Sequence, residues 1–453
     1  MIEFNKSLAK KFVVLDFEFD VQNLRGVFYY KLDEKELKEE LEIKIPKELR
    51  RKRIDKKRLN RALFFVHMAL GISYYKAGAA PEIVLESGKL TTKQKAFFKA
   101  VFEKGLGEFF YQNKIDFRGL INFKNHSGTK YTKLKSTKQK GVDLLCLGGG
   151  KDSLASLKLL ERAGQFTKGC PPHESFVPLV FDQNPIAINQ CRLINKEPIL
   201  INRKIDPELI RLNQEGFYNG HVPFSFILAF CASLVDLFTP VKNIIVSNEH
   251  SANFGNATYL GHEINHQWSK TLEAEIMMSD FIKTYITNTN YFSLMRGFWE
   301  IRIAEIFLED ERFLNSFTSC NRFFRRQKDF EGLWCNNCAK CAFIFALFSG
   351  FLTRDRLVQI FGENLFEKES LRGTFEALYK EDLEKPFDCV GAESEIIAAM
   401  QNAIKIEPIG DNEVILRDFE KCGFEEQDMQ KLLQERHCHN ISKEFYEIIG
   451  IKK

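Results

Sequence analysis

The stretch Asp143-Leu144-Leu145-Cys146-Leu147-Gly148-Gly149-Gly150-Lys151-Asp152-Ser153 puts an apolar run, a glycine triplet and Lys-Asp-Ser in direct succession. These residue types suit phosphate. Glycines let the backbone approach an anion, and a helix starting behind them offers free N–H groups and a partial positive charge. On this reading the N–H groups near Gly148, Gly149 and Gly150 and the Ser153 hydroxyl cradle pyrophosphate. Lys151 neutralises phosphate charge, and Asp152 holds Mg²⁺ directly or through water. The loop is not a Walker A motif, because Asp152 stands where that motif needs Ser or Thr. It also lacks the Gly-x-Gly-x-x-Gly spacing of dinucleotide sites.

Two polar segments carry further candidates. Ser247-Asn248-Glu249-His250-Ser251-Ala252-Asn253 follows an apolar run, and Gly261-His262-Glu263-Ile264-Asn265-His266-Gln267-Trp268-Ser269-Lys270 comes soon after. At the carboxyl edge of a parallel sheet, such loops bind polar ligands. Here Ser247 and Asn248 are candidates to contact the nucleotide. His262-Glu263-Ile264-Asn265-His266 also fits the His-Glu-x-x-His spacing of zinc proteases, although its flanks are polar and no third ligand is evident. Gly220-His221-Val222-Pro223-Phe224-Ser225 precedes a long apolar helix; His221 and Ser225 suit either helix capping or a ligand. Cys320 with Cys335-Asn336-Asn337-Cys338-Ala339-Lys340-Cys341 offers thiolates for a tetrahedral Zn²⁺ of structural type. Cys146, Cys170, Cys191, Cys231, Cys389, Cys422 and Cys438 are scattered and read as inert.

The elements needed to position these residues can be read from apolar patterning. Phe12–Phe19, Val27–Leu32, Phe176–Phe181, Pro198–Ile201 and Asn243–Ser247 read as strands. Leu59–Tyr75, a segment opening at Thr91, Leu154–Arg162 and Val222–Phe238 read as helices. Short apolar strands alternating with helices predict an α/β fold with a doubly wound parallel sheet in the centre. Residues 1–135 form an N-terminal α+β domain, a polar linker enters a catalytic domain over residues 140–345, and residues 346–453 form a helical C-terminal region. The basic run Arg50-Arg51-Lys52-Arg53 reads as a solvated face more readily than as an anion site.

The chain has 453 residues, 44% of them hydrophobic, which is enough for a large core in more than one domain. A net charge of +4 gives no case for nucleic acid. The apolar stretch 222–238 is broken by Asp236 and is short for a membrane span. The N-terminus lacks a signal-peptide layout, so a reducing, cytoplasmic location is expected, where clustered cysteines bind metal.

The glycine loop resembles the Ser-Gly-Gly-x-Asp-Ser loop of the PP-loop pyrophosphatases, with Gly148 in place of their first Ser. Together with the cysteine cluster it resembles 7-cyano-7-deazaguanine synthase, a much shorter enzyme. A resemblance over nearly the full length carries more. Gly-Gly-Gly-Lys-Asp-Ser at 148–153, Gly-His-Val-Pro-Phe-Ser at 220–225, Ser-Asn-Glu-His-Ser-Ala-Asn at 247–253, Asn-His-Gln-Trp-Ser-Lys at 265–270 and Trp-Cys-Asn-Asn-Cys-Ala-Lys-Cys-Ala-Phe at 334–343 are similar to the ATP-dependent UDP-N-acetylmuramoyl-L-alanyl-L-glutamate epimerases. That resemblance implies a PP-loop fold, ATP and Mg²⁺ with structural Zn²⁺, and a UDP-muramoyl dipeptide as small-molecule substrate. It further implies that glutamate is adenylated, deprotonated at its α-carbon and reprotonated on the other face. Such inversion needs a base and an acid, for which Glu249, His250, His262, Glu263 and His266 are the candidates. Trp268 and Lys270, with His221, Ser225 and Asn253, are candidates to bind the substrate. An ATP-dependent ligase or base-thiolating enzyme would use the same adenylate with another nucleophile.

Overall fold

The computed structural model describes residues 8–450 except 52, 136, 138–139, 167–175 and 324–329. Cys170 and Lys52 therefore lie outside the described residues. The chain opens with an antiparallel meander, β1 (Lys11–Asp20), β2 (Arg25–Leu32) and β3 (Lys35–Lys44). Helix α1 (Lys56–Tyr75) follows, capped by the Asp55 side chain, which accepts from the N–H groups of Lys57 and Arg58. Then come β4 (Glu82–Leu85), α2 (Thr92–Gly105) behind a Thr91/Gln94 capping box, and β5 (Asn122–Asn125).

Strand and helix alternate from β6 (Val142–Leu147) through α3 (Lys151–Phe166), β7 (Phe176–Phe181), α4 (Pro185–Leu193), β8 (Ile199–Ile205), α5 (Phe224–Val235), β9 (Val241–Val246) and β10 (Asn290–Ser293). Further helices include α6 (Glu300–Leu308), α7 (Ala339–Ser349) and α8 (Glu393–Ile406). The region after residue 346 is helical, as expected, and no described helix is long and apolar enough to cross a membrane.

One ten-stranded sheet joins these parts in the order β10-β9-β6-β7-β8-β3-β2-β1-β4-β5. β10, β9, β6, β7 and β8 are mutually parallel. Counted from β6, their spatial order is 3-2-1-4-5 read from β8, the doubly wound arrangement. Strand order reverses between β6 and β9, where the first crossover leaves to one side and a later one to the other.

The boundary read near residues 135–140 is not an edge of the sheet. β3 pairs with β8 antiparallel from Lys44/Leu200 to Glu39/Ile205, so the N-terminal meander continues the central sheet. The polar segment before residue 140 is also tied down, with Leu134 N–H donating to Thr284 O at 2.8 Å. The hydrophobic core divides by sheet face. Leu144 and Cys146 of β6 join α1, α2 and α5 on one face, whereas Leu145 and Leu147 join α3, α6, α7 and α8 on the other. This period-2 division explains why the parallel strands are apolar throughout: both faces are covered. The basic run is structural in part, since Arg51, with Arg58 further along the chain, reaches the buried carboxylate of Asp236 at 3.5 and 3.1 Å respectively.

Candidate active site

The glycine turn occupies the point where strand order reverses. β6 ends at Leu147 and α3 begins at Lys151, so residues 148–150 form the turn at the helix N-terminus. Gly149 has φ +86°, and a Cβ there would meet Ile186 at 3.1 Å, so glycine is required on both counts. A Cβ on Gly148 would meet nothing within 4 Å. The turn's carbonyls are taken up by the scaffold. Asn184 Nδ2 donates to Gly148 O at 2.9 Å, Gln190 Nε2 to Gly149 O at 3.0 Å, and Ser153 Oγ to Gly150 O at 3.1 Å. The turn therefore meets the cavity without the row of free acceptors that would repel an anion.

That cavity has a volume of about 680 Å³ and opens beyond the carboxyl ends of β6, β7 and β9. Gly148, Gly150, Asp152 and Ser153 line it together with Ser225, Ser247, Asn248 and Lys270. Asn184 and Ser319, outside the motifs, also line it, as do Lys340 of the cysteine motif and Cys389, which is therefore not the inert thiol its isolation in the sequence suggests.

Two groups of charged side chains meet this cavity, one through Asp152 and the other through Cys389. In the first, single carboxylate oxygens of Asp152, Glu249 and Glu300 lie within 4.8 Å of one another. Lys151 is fully buried and paired with Asp152 and Glu300, so its ammonium neutralises this cluster instead of reaching into the cavity. That differs from the phosphate contact expected of it: a lysine at the first position of α3 meets the start of α6 across the sheet face. Lys340 Nζ lies 3.7 Å from the other oxygen of Glu300. Burial opposes ionisation of Asp152, but the ammonium groups of Lys151, Lys340 and Lys270 hold its carboxyl below the usual range. Glu300 is pushed up by burial and by the charge of Asp152. Three acidic side chains converging beside Lys151 and Lys340 offer the oxygen ligands that a hard divalent cation takes.

In the second, Lys270 Nζ donates to Cys389 Sγ at 3.2 Å. Cys389 also neighbours His266, whose Nδ1 lies 2.5 Å from Glu108 Oε2. Burial works against the Cys389 thiolate, yet Lys270, His266 and Lys340 bring the thiol down to about 6. Burial likewise disfavours the His266 cation, but Cys389 and Glu108 raise it to about 9. The two shifts agree on a thiolate–imidazolium pair. His221 stands beside them, its ring centroid 4.4 Å from that of His266. Burial and the His266 charge push His221 down to about 3, so it is neutral. Burial opposes the Lys270 cation, but Cys389, Glu249 and Asp152 keep it protonated, which places its charge between the two groups.

The other candidates lie apart from this cavity. His250 stacks on His437 with ring centroids 3.5 Å apart, beside Trp299. His262 and Glu263 lie on a short exposed strand, His262–Ile264, and line a separate hollow of about 340 Å³ with Asn253 and Trp268. Trp268 is buried and donates Nε1–H to Glu273 at 2.9 Å. Asn253 Oδ1 accepts from Leu272 N–H at 2.8 Å, a structural contact. The His-Glu-Ile-Asn-His segment is a strand followed by a turn, so it does not form a zinc-protease helix.

The four cysteines do converge. One sulfur each from Cys320, Cys335, Cys338 and Cys341 lies within 4.8 Å of the others, with Cys338 to Cys341 at 3.5 Å and Cys335 to Cys341 at 3.7 Å. Tetrahedral Zn–S bonds near 2.3 Å put sulfurs about 3.8 Å apart, so the set fits a closed zinc site. The cluster sits at the first turn of α7, which carries Lys340. Lys340 reaches from there to Glu300 and donates to the backbone carbonyl of Cys389.

Comparison with known proteins agrees along the chain. The MurL N-terminal domain model matches residues 3–294, and the MurL C-terminal domain model matches residues 316–432. A Micromonospora protein named UDP-N-acetyl-alpha-D-muramoyl-L-alanyl-L-glutamate epimerase is 35% identical over 347 residues, covering 76% of this chain and 74% of the relative. Proteins of the same name from Xanthomonas oryzae pv. oryzae and Salinispora tropica are 32% and 33% identical, covering 74% and 73% of their lengths. No solved structure matches. The chain belongs to the MurL family.

Proposed function

We propose that this chain is an isomerase that converts UDP-N-acetylmuramoyl-L-alanyl-L-glutamate to its D-glutamate epimer, a step in making a peptidoglycan precursor, and that it drives inversion by splitting ATP to AMP and pyrophosphate. Family membership and the relatives' names support the substrate and the inversion. The observation that carries the ATP half is the glycine turn at the switch point, lining one cavity together with Asp152 of a three-carboxylate cluster.

The α-proton of a carboxylate is hard to remove, because a second negative charge builds beside the first. In this mechanism a substrate carboxylate oxygen attacks the α-phosphorus of ATP, and pyrophosphate leaves. The acyl adenylate has no carboxylate charge, so the α-carbon becomes acidic enough for a protein base. Water then releases AMP. Backbone N–H groups at the start of α3 hold the leaving phosphates, and the Ser153 hydroxyl joins them by turning away from Gly150 O. Asp152, Glu249 and Glu300 are the residues that would hold Mg²⁺, which supplies charge neutralisation on the phosphates. Lys270 lies where an ammonium can meet the reacting carboxyl, and Cys320, Cys335, Cys338 and Cys341 would hold a structural Zn²⁺.

Isotope transfer tests this sequence. With ¹⁸O in the substrate's glutamyl carboxylates, ATP and Mg²⁺, the AMP formed carries one ¹⁸O. AMP free of label would refute the adenylate.

A further inference from the structure

We propose that Cys389 is a proton-transferring residue of this centre, its sulfur taking the proton from the α-carbon of the activated glutamyl group. The assignment rests on the epimerase reading above and adds the identity of one member of the acid/base pair. Four observations point to it.

Cys389 shares the cavity with Gly148, Asp152 and Lys270, so a substrate activated at the glycine turn has its acyl end near this sulfur. Lys270 Nζ donates to the thiol at 3.2 Å, and the neighbouring His266 imidazole favours its thiolate form. His266 is in turn held by Glu108, 2.5 Å from Nδ1. A nucleophile or base, an imidazole and an orienting carboxylate in that order are the arrangement that activates a side chain for proton transfer. Finally, its loop is anchored from the metal-cluster side, where Lys340 donates to the Cys389 carbonyl.

The competing candidates are engaged elsewhere. Glu249 belongs to the carboxylate cluster, and His250, His262 and Glu263 do not line the cavity. His266 holds its proton beside Cys389 and Glu108, so it is an orienting group and not the base. The Cα–H bond breaks, its proton moves to Sγ, and its electron pair enters the adjacent acyl C=O. The resulting enolate oxygen faces the Lys270 ammonium, which stabilises the developing charge. Re-formation of Cα–H on the opposite face uses a proton from an acid that exchanges with water, and it restores the C=O. His266 and Glu108 act as positioning residues.

The test uses the full-length protein with ATP, Mg²⁺ and the dipeptide nucleotide in D₂O. It follows deuterium at the glutamyl α-carbon, D-glutamate and AMP together. Cys389→Ala and Cys389→Ser should each lose at least about 100-fold in deuterium uptake, the usual scale of general acid–base catalysis. ATP splitting should outrun D-glutamate formation in both. Independently of turnover, iodoacetamide should label Cys389 in the wild-type protein faster than a glutathione reference at neutral pH. Substrate with ATP should protect it, and His266→Gln should slow the labelling. Deuterium uptake within about tenfold of wild type in either variant would overturn the assignment. So would a quenched wild-type protein carrying the substrate's acyl group as a thioester on Cys389, since that makes the sulfur a nucleophile. Wild-type protein that makes AMP but no D-glutamate would sink the epimerase reading, and this assignment with it.

Discussion

Asp152 and Cys389 line one cavity, and each makes a separate prediction. Asp152 contributes to the carboxylate cluster, so Asp152→Ala should abolish substrate-dependent pyrophosphate release and leave the circular dichroism spectrum unchanged. Retained activity in that variant would remove the cluster from the mechanism. Cys389 should set the acid limb of the rate profile. Its thiol sits at about 6, lowered by Lys270, His266 and Lys340 against burial, so activity should fall below that pH as the thiolate is protonated. On the alkaline side His266, at about 9, loses the charge that holds the thiolate in place, and activity should fall again. A pH–rate profile of kcat/KM checks both limbs. Asp152 stood out in the sequence because Gly-Gly-Gly-Lys-Asp-Ser is contiguous, with its strand and helix on either side. Cys389, Glu108 and Glu300 did not stand out. Each comes from a distant segment with no local motif, and only the tertiary fold brings them to Lys270, His266 and Lys151.

At the scale of elements, β3 shows what patterning hides. Lys35–Lys44 is rich in helix-forming Lys, Glu and Leu, so its composition does not announce a strand. Its buried positions are Leu37, Glu39, Leu41 and Ile43, a period of two with a carboxylate inside it. Glu39 is accommodated because Arg203 of β8 pairs with it at 2.6 Å across the β3–β8 junction. Removing one partner strands a buried charge, so Glu39→Ala should cost about 3–5 kcal/mol in urea unfolding. A change under about 1 kcal/mol would show that water or another group replaces the pair. The cysteine cluster makes the second prediction at this scale. Freshly purified protein should hold one zinc per chain by elemental analysis, and Cys338→Ser should lose it. Activity should fall with it, because the first turn of α7 carries Lys340 to Glu300 and to the Cys389 carbonyl. Tight Cys-x-x-Cys steps made this cluster readable from spacing, whereas its link to the cavity through Lys340 emerged only from the fold.

Across the whole molecule, the sheet and its two covered faces organise the chain more than the order of its segments does. The five parallel strands were expected from their apolar runs, apart from β10, while β4 and the edge strand β5, four residues each, were too short to register. The division into an N-terminal and a central part was read from a polar stretch, but β3 and β8 pair and one core spans both parts. The C-terminal helices cover the opposite face, and the tail returns to stack His437 on His250. A parallel sheet covered on both faces leaves its ligand site at the carboxyl edge, where the order of strands reverses, and there the glycine turn, the carboxylates and Cys389 meet. The most direct test of the account is incubation of the protein with ATP, Mg²⁺ and UDP-N-acetylmuramoyl-L-alanyl-L-glutamate, followed by chiral analysis of the glutamate. The account predicts D-glutamate in a product of unchanged mass, with AMP and pyrophosphate released. Glutamate that stays wholly L, or a product that has gained mass through ligation, would contradict it.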